Sequence, residues 1–160
     1  MYVSVHAPVG AIIGKLVPNP FLAFILAALS HYLMDLVPHG DKDFFNQLKE
    51  WLHVKKYIAV VVADAFFLII TLPIILRFTP DASYWSVVAG IAGSVLPDFA
   101  NAIGWLSPKK YLKPFFTLHH WVHDIVANKI TKYDFPEQIS PLLMVELPIY
   151  VLALVIFYLL

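Results

Sequence analysis

Residues 30–41 read SHYLMDLVPHGD and combine two histidines with two carboxylates at the end of an apolar run. In a helix, His31 and Asp35 are one turn apart and project from the same face. The proline and glycine that follow favour a turn, so His39 and Asp41 are expected just beyond the helix end. Imidazole and carboxylate are the usual ligands of zinc and similar divalent ions. This stretch therefore predicts a metal site where an apolar helix ends.

The composition of the whole chain indicates a polytopic membrane protein. Hydrophobic residues make up 60% of the 160 residues, and charged residues make up 14%. Soluble domains usually contain about 45–50% apolar and about 25% charged residues. The net charge is zero and no basic stripe is present, which argues against a nucleic-acid partner. Because the chain has no cysteine, any metal must be held by nitrogen and oxygen atoms.

Long apolar runs divide the chain into about five spans. They are expected at residues 3–17, 21–37, 57–76, 84–106 and 139–160. Between the second and third runs, residues 42–56 alternate large apolar side chains with charges, which predicts an amphipathic helix lying on the bilayer. The expected fold class is thus all-α, a polytopic membrane helical bundle of about five spans plus this interfacial helix. We expect residues 1–160 to form a single domain.

The distribution of lysines orients this bundle. Lysines concentrate in residues 42–56 and 109–132, and both segments fall on one side if the chain crosses about five times. The positive-inside rule assigns that side to the cytoplasm, together with the N-terminus. Seven candidate metal ligands then share one depth near the cytoplasmic face: His6, His31, Asp35, Asp64, Asp98, His119 and His123.

Considered one at a time, the candidate ligands differ in how strongly they indicate a metal site. A lone histidine in an apolar helix, such as His6, is more often a packing residue than a ligand. Asp64 points more strongly to function, because ionisable groups inside spans are costly and usually face a polar interior. Three pairs have the one-turn spacing of helical neighbours: His31/Asp35, His119/His123 and His120/Asp124. Together these residues exceed the needs of one tetrahedral ion, so two or three ions are expected.

These residues predict a hydrolytic metal centre. Four further polar residues are expected to act as general acids or bases or as additional ligands: His39, Asp41, His120 and Asp124. Divalent ions favour hydrolysis of a phosphoester because they neutralise the phosphoryl oxygens and stabilise the leaving group. A lipid or lipid-linked phosphoester would present its headgroup at this depth. Zinc is the expected metal, with manganese and iron as alternatives.

Four short motifs occur together along the chain. They are His6 before a glycine-rich helix, Ser30-His31-x-x-x-Asp35 before a proline, Leu96-Pro97-Asp98, and the histidine cluster of residues 119–124. In these motifs the chain resembles the membrane-bound metal-dependent hydrolase family of bacteria and archaea, which looks distantly similar to zinc-dependent phospholipase C. The resemblance implies a metal-dependent hydrolase in a prokaryotic cytoplasmic membrane.

Two features of the chain depart from the usual pattern of that family. The family usually places its Leu-Pro-Asp and histidine-rich motifs before the Ser-His-x-x-x-Asp helix, whereas here they follow it. The histidine-rich element here reads HHWVHD in place of a Thr-His-Ser form. These departures concern the catalytic roles more than the fold or the binding of metal.

Two alternative functions stay open at the level of the sequence. A transporter or channel for metal ions or protons would place polar residues along a path, and the outer halves of the spans are apolar, which disfavours it. A membrane scaffold with a non-catalytic metal site would use the same ligands with a closed coordination shell. A coordination position that faces water or a lipid-accessible groove would distinguish an enzyme from such a scaffold.

Overall fold

A computed structural model of the chain describes residues 1–37, 51–106, 117–119, 121–122 and 145–160. Every regular element in these ranges is helical. They are α1 (Val3–Leu16), α2 (Pro20–Met34), α3 (Trp51–Arg77), a 3₁₀ turn (Asp81–Ser83), α4 (Tyr84–Leu106) and α5 (Leu147–Leu159). Residues 117–119 and 121–122 are also helical. The predicted all-α class is confirmed for the described part of the chain.

The bounds of α1, α2 and α4 follow the apolar runs closely, whereas those of α3 and α5 differ from the prediction. Helix α5 begins at Leu147, and residues 139–144 of the predicted fifth span lie outside the described residues. Helix α4 has the predicted bounds, and α1 and α2 end within a few residues of theirs. Helix α3, however, begins at Trp51 and continues to Arg77 without a break. Residues 51–56 therefore belong to the same helix as the third apolar run, because no glycine or proline interrupts the chain before Pro73. Residues 42–50 of the predicted interfacial helix lie outside the described residues.

Helix α1 is the centre of the bundle and contacts each of the other four helices. Helices α1 and α5 run parallel, since Tyr2 meets Glu146 at one end and Lys15 meets Phe157 at the other. Eight residues of α1 are buried: Ser4, Val5, His6, Ala7, Pro8, Gly10, Ala11 and Gly14. An apolar core surrounds them and contains Ala7, Ala11, Ile75, Val87, Ile91 and Phe157.

Small residues let α1 and α4 approach each other closely. A Cβ atom added to Gly10 would collide with the Gly90 carbonyl group, and one added to Gly14 would collide with the backbone of Ser86 and Val87. The two helices are antiparallel at this crossing, because the later glycine of α1 meets the earlier part of α4. This backbone contact fixes the distance between the helices that carry His6 and Asp98.

The outer faces of the helices remain apolar. Large hydrophobic side chains are exposed on α2, α3 and α5, for example Phe21, Ile69 and Leu159. Among the described helices, one is long and apolar enough by composition to cross a membrane, over Tyr84–Ile103; α1, α2 and α5 are apolar but shorter.

Candidate metal centre

His31 is held in one orientation by helix α4. It continues a buried stripe of α2 that begins with Ala23 and Ala27, whose small side chains allow α4 to pack closely. The His31 Nδ1–H donates to the Ser94 carbonyl oxygen over 2.8 Å. Because a carbonyl oxygen can only accept, Nδ1 carries a proton, and Nε2 is the ring nitrogen that faces the carboxylates. Metal-binding histidines are commonly oriented in this way.

Asp35 contacts the imidazole rings of two histidines. It occupies the C-cap position of α2, where its backbone N–H donates to the His31 carbonyl oxygen over 3.0 Å. Its Oδ2 is 3.1 Å from His31 Nε2, and its Oδ1 is 3.3 Å from His6 Nε2. Oδ1 also accepts a hydrogen bond from the Met1 nitrogen over 3.0 Å. The one-turn spacing of His31 and Asp35 thus brings the imidazole ring and the carboxylate next to each other.

His6 joins this pair from α1. Its ring stacks on the His31 ring with the centroids 4.0 Å apart and the planes at 28°. The side chain is fully buried; Nε2 lies 3.3 Å from Asp35 Oδ1 without hydrogen-bond geometry, and Nδ1 has no hydrogen-bond partner within the described residues. A buried imidazole in this state has lost its hydration without regaining hydrogen bonds, which is costly unless another partner is supplied.

Asp98 and His119 complete the cluster. Asp98 Oδ1 is 3.7 Å from His31 Nε2 and 3.7 Å from His119 Nε2. The Asp98 side chain is 18% exposed, whereas those of His6, His31 and Asp35 are completely buried. Among these four side chains, that of Asp98 is therefore the one that is partly exposed.

The five side chains form two overlapping groups of donor atoms. His6, His31 and Asp98 make one group and His31, Asp35 and His119 make the other; within each group the donor atoms lie within 4.8 Å of one another. Zinc bonds of about 2.0–2.2 Å in a tetrahedron would place ligand atoms about 3.4 Å apart. The four nitrogen–oxygen separations of 3.1–3.7 Å in the cluster bracket this value. The donor set fits a divalent transition metal.

Asp64 lies beside this cluster with different partners. Its Oδ2 accepts a hydrogen bond from the Val3 N–H over 3.0 Å, and its Oδ1 accepts one from the Ser4 N–H over 2.9 Å. Neither group of close donor atoms includes Asp64. The structure thus places this carboxylate at the start of α1, and its role as a ligand stays a prediction.

Five of the predicted site residues lie outside the described residues. They are His39, Asp41, His120, His123 and Asp124. Their predicted roles in catalysis and metal binding stay predictions.

Three residues near the cluster were not predicted from the sequence. The Tyr32 ring makes edge contacts with the rings of His31 and His119, with centroids 5.4 and 6.4 Å away. Asn101 follows Asp98 by three residues on the same face of α4, and its buried Oδ1 has no hydrogen-bond partner among the described residues. The three-residue spacing from Asp98 could have identified Asn101 as a further candidate from the sequence. The Ser94 contact uses a backbone carbonyl, for which a sequence carries no signal.

Comparison of the chain with protein-family models, with curated proteins and with solved structures finds no match.

Proposed function

We propose that this protein is an integral-membrane metal-dependent hydrolase that acts on a lipid or lipid-linked phosphoester. The observation that carries the proposal is the convergence of three histidines and two aspartates, from α1, α2, α4 and residue 119, on one small volume. These residues are far apart in sequence and largely buried in an apolar bundle. Ionisable groups in such surroundings are costly and usually mark a functional site.

The donor arrangement supports more than one ion. His31 belongs to both groups of donor atoms but offers only Nε2, since its Nδ1–H donates to Ser94, so it would bind one of the two ions. The two oxygens of Asp35 face different rings, those of His6 and His31, which suits a bridging carboxylate. We propose zinc at two neighbouring positions, with manganese or iron as alternatives.

The residues of the chain would divide the work of hydrolysis. When bound, divalent ions supply Lewis-acid stabilisation of the phosphoryl oxygens and the leaving group. The Ser94 carbonyl holds His31 in the tautomer that leaves Nε2 available. Asp98, at the open side of the cluster, is placed to meet the substrate headgroup. This proposal extends to the chain what the resemblance to membrane-bound metal-dependent hydrolases implies.

The membrane setting is part of the proposal. Apolar side chains cover the outer faces of α2, α3 and α5, and Tyr84–Ile103 is long enough to cross a bilayer. We propose a polytopic arrangement in a prokaryotic cytoplasmic membrane, with the centre near the cytoplasmic face because of the lysine distribution. A lipid headgroup would then lie at the depth of Asp98.

The test combines metal analysis with a hydrolysis assay on detergent-purified protein. Elemental analysis by mass spectrometry should find about two zinc, manganese or iron ions per chain. The protein should release phosphate-containing products from phospholipid in mixed micelles or from bis-p-nitrophenyl phosphate. Chelation should abolish this activity, and added zinc should restore it.

A matched pair of variants makes the test specific. Asp98→Asn should lose activity and bound metal, whereas Asp81→Asn makes the same change at an exposed turn and should retain both. Absence of bound metal after incubation with zinc would overturn the proposal. Stoichiometric metal without hydrolysis would instead favour the non-catalytic scaffold.

A further inference from the structure

Helix α1 begins without a capping side chain of its own. Its N-cap residue is Tyr2, which makes no side-chain capping bond, and its first turn contains no acidic residue. The first N–H groups of any helix lack partners within the helix and must find them elsewhere. In a buried helix start, unpaired N–H groups would be strongly destabilising.

Two carboxylates from distant parts of the chain supply these partners. Asp64 of α3 accepts from the N–H groups of Val3 and Ser4 over 3.0 and 2.9 Å. Glu146, which immediately precedes α5 and is 1% exposed, accepts from the Tyr2 N–H over 3.3 Å. Negative charge at a helix N-terminus is also favourable to the helix dipole. Asp64 and Glu146 thus supply three hydrogen bonds to the backbone at the start of α1, in addition to the bond from the Met1 nitrogen to Asp35.

This arrangement acts directly on the position of His6. His6 follows Ser4 by two residues, so it lies in the turn whose N–H groups Asp64 binds. On the other side, the Gly10 backbone contact with Gly90 fixes the distance of α1 from α4. With Gly10 fixed, the rotation and height of the first turn depend on the carboxylates, and His6 Nε2 moves with that turn.

Resting on the proposed function, we infer that Asp64, assisted by Glu146, is a positioning residue that holds His6 at the metal centre without binding the ion. This differs from the role as a ligand that the sequence predicts for Asp64. A ligand and a positioning residue have different consequences when removed. Loss of a ligand changes the coordination and the number of ions bound. Loss of a positioning residue weakens binding and leaves the coordination unchanged.

The experiment measures binding of Co²⁺ to the metal-free full-length protein in detergent, through the visible absorption of the bound ion. Asp64→Asn keeps one acceptor oxygen, whereas Asp64→Ala removes both. Loss of a group that orients a ligand typically weakens metal binding 10–100-fold. We expect about tenfold weaker binding for Asp64→Asn and about 100-fold for Asp64→Ala, both with the wild-type stoichiometry and absorption bands.

Two control variants separate positioning from a general loss of stability. Thr71→Val removes a hydrogen bond between α3 and α5, where Thr71 Oγ1 meets the Tyr150 hydroxyl at 2.5 Å, but does not touch the start of α1. It should lower the thermal stability without changing the affinity for Co²⁺. Asp81→Asn repeats the chemical change at an exposed turn and should change neither property.

The possible outcomes are distinct. Wild-type affinity in a folded Asp64→Ala protein would overturn the inference, and so would altered absorption bands or fewer ions, which would make Asp64 a ligand. If neither Asp64 variant folds, Glu146→Gln decides: weaker binding with unchanged bands supports positioning, and wild-type affinity overturns it. If the wild type binds no Co²⁺, Zn²⁺ or Mn²⁺ at all, the proposed function itself fails, and the inference fails with it.

Discussion

The two halves of α1 are constrained in different ways. In the first half, the N–H groups of Val3 and Ser4 and the ring of His6 lie among carboxylates from three other regions of the chain. In the second half, Gly10 and Gly14 lie directly against the backbone of α4. The first half requires particular chemical groups, and the second half requires the absence of side-chain volume.

This difference separates the proposed metal site from the close packing contact within one helix. A backbone-to-backbone contact cannot relax when an atom is added, because neither helix can move without disturbing the core around Val87 and Ile91. A polar cluster can accept a substitution of similar shape and still fold, yet lose the donor atom that an ion needs. The expected effects below follow this division.

The largest effect is expected from Gly10→Val in the second half of α1. Its new side chain would meet the Gly90 carbonyl and Ser94 Oγ. We expect destabilisation by about 3 kcal/mol or more, measured by denaturant unfolding in detergent. Ala92→Val adds the same kind of volume at an exposed position of α4 and should be nearly neutral. A folded Gly10→Val protein with wild-type stability would show that the crossing is not volume-limited.

The next largest effect is expected from His31→Ala in the polar cluster. This change removes the imidazole that belongs to both groups of donor atoms. Zinc affinity should fall more than about 100-fold, beyond the usual loss for a residue that only supports a ligand. The increase in thermal stability that zinc gives the wild type should disappear. Retention of that increase in His31→Ala would exclude His31 from the centre.

Asp98→Asn is expected to change the stability of the metal-free protein only slightly and to abolish zinc binding. The side chain is partly exposed and the amide has nearly the same shape, so the metal-free stability should change by less than about 1 kcal/mol. Zinc should nevertheless no longer raise the melting temperature. Calorimetric scans with and without zinc measure both quantities. A large loss of metal-free stability would mean that Asp98 serves mainly to hold the helices together.

The smallest effect is expected from Lys15→Met at the far end of α1. Lys15 Nζ donates to the Phe157 carbonyl oxygen over 2.8 Å and lies 4.1 Å from the centroid of the Phe157 ring. Loss of these contacts should cost about 1 kcal/mol of stability. Zinc affinity should be unchanged, because this end of the bundle is remote from His6. A change in affinity would show that the two halves of α1 are coupled.

Local patterns in the sequence predicted much of the candidate site. The one-turn spacing of His31 and Asp35 survives in the structure, with the carboxylate next to the ring. The structure brings His6, Asp98 and His119 close to His31, whereas their common depth in a membrane stays a prediction. Asp64 shows the limit of this reasoning, because an aspartate in an apolar helix looks the same whether it faces an imidazole or a helix start.

By itself, the sequence determined the helical class, the bounds of α4 and the pairing of His31 with Asp35. Each of these depends on neighbouring residues, through apolar run length or helical periodicity. Only the tertiary structure decided that Asp35 and Asp98 meet histidines while Asp64 meets the backbone of α1. Which partner each aspartate meets depends on the distances and rotations between the helices. The contact of Gly10 in α1 with Gly90 in α4, 80 residues apart in the chain, sets the distance between these two helices.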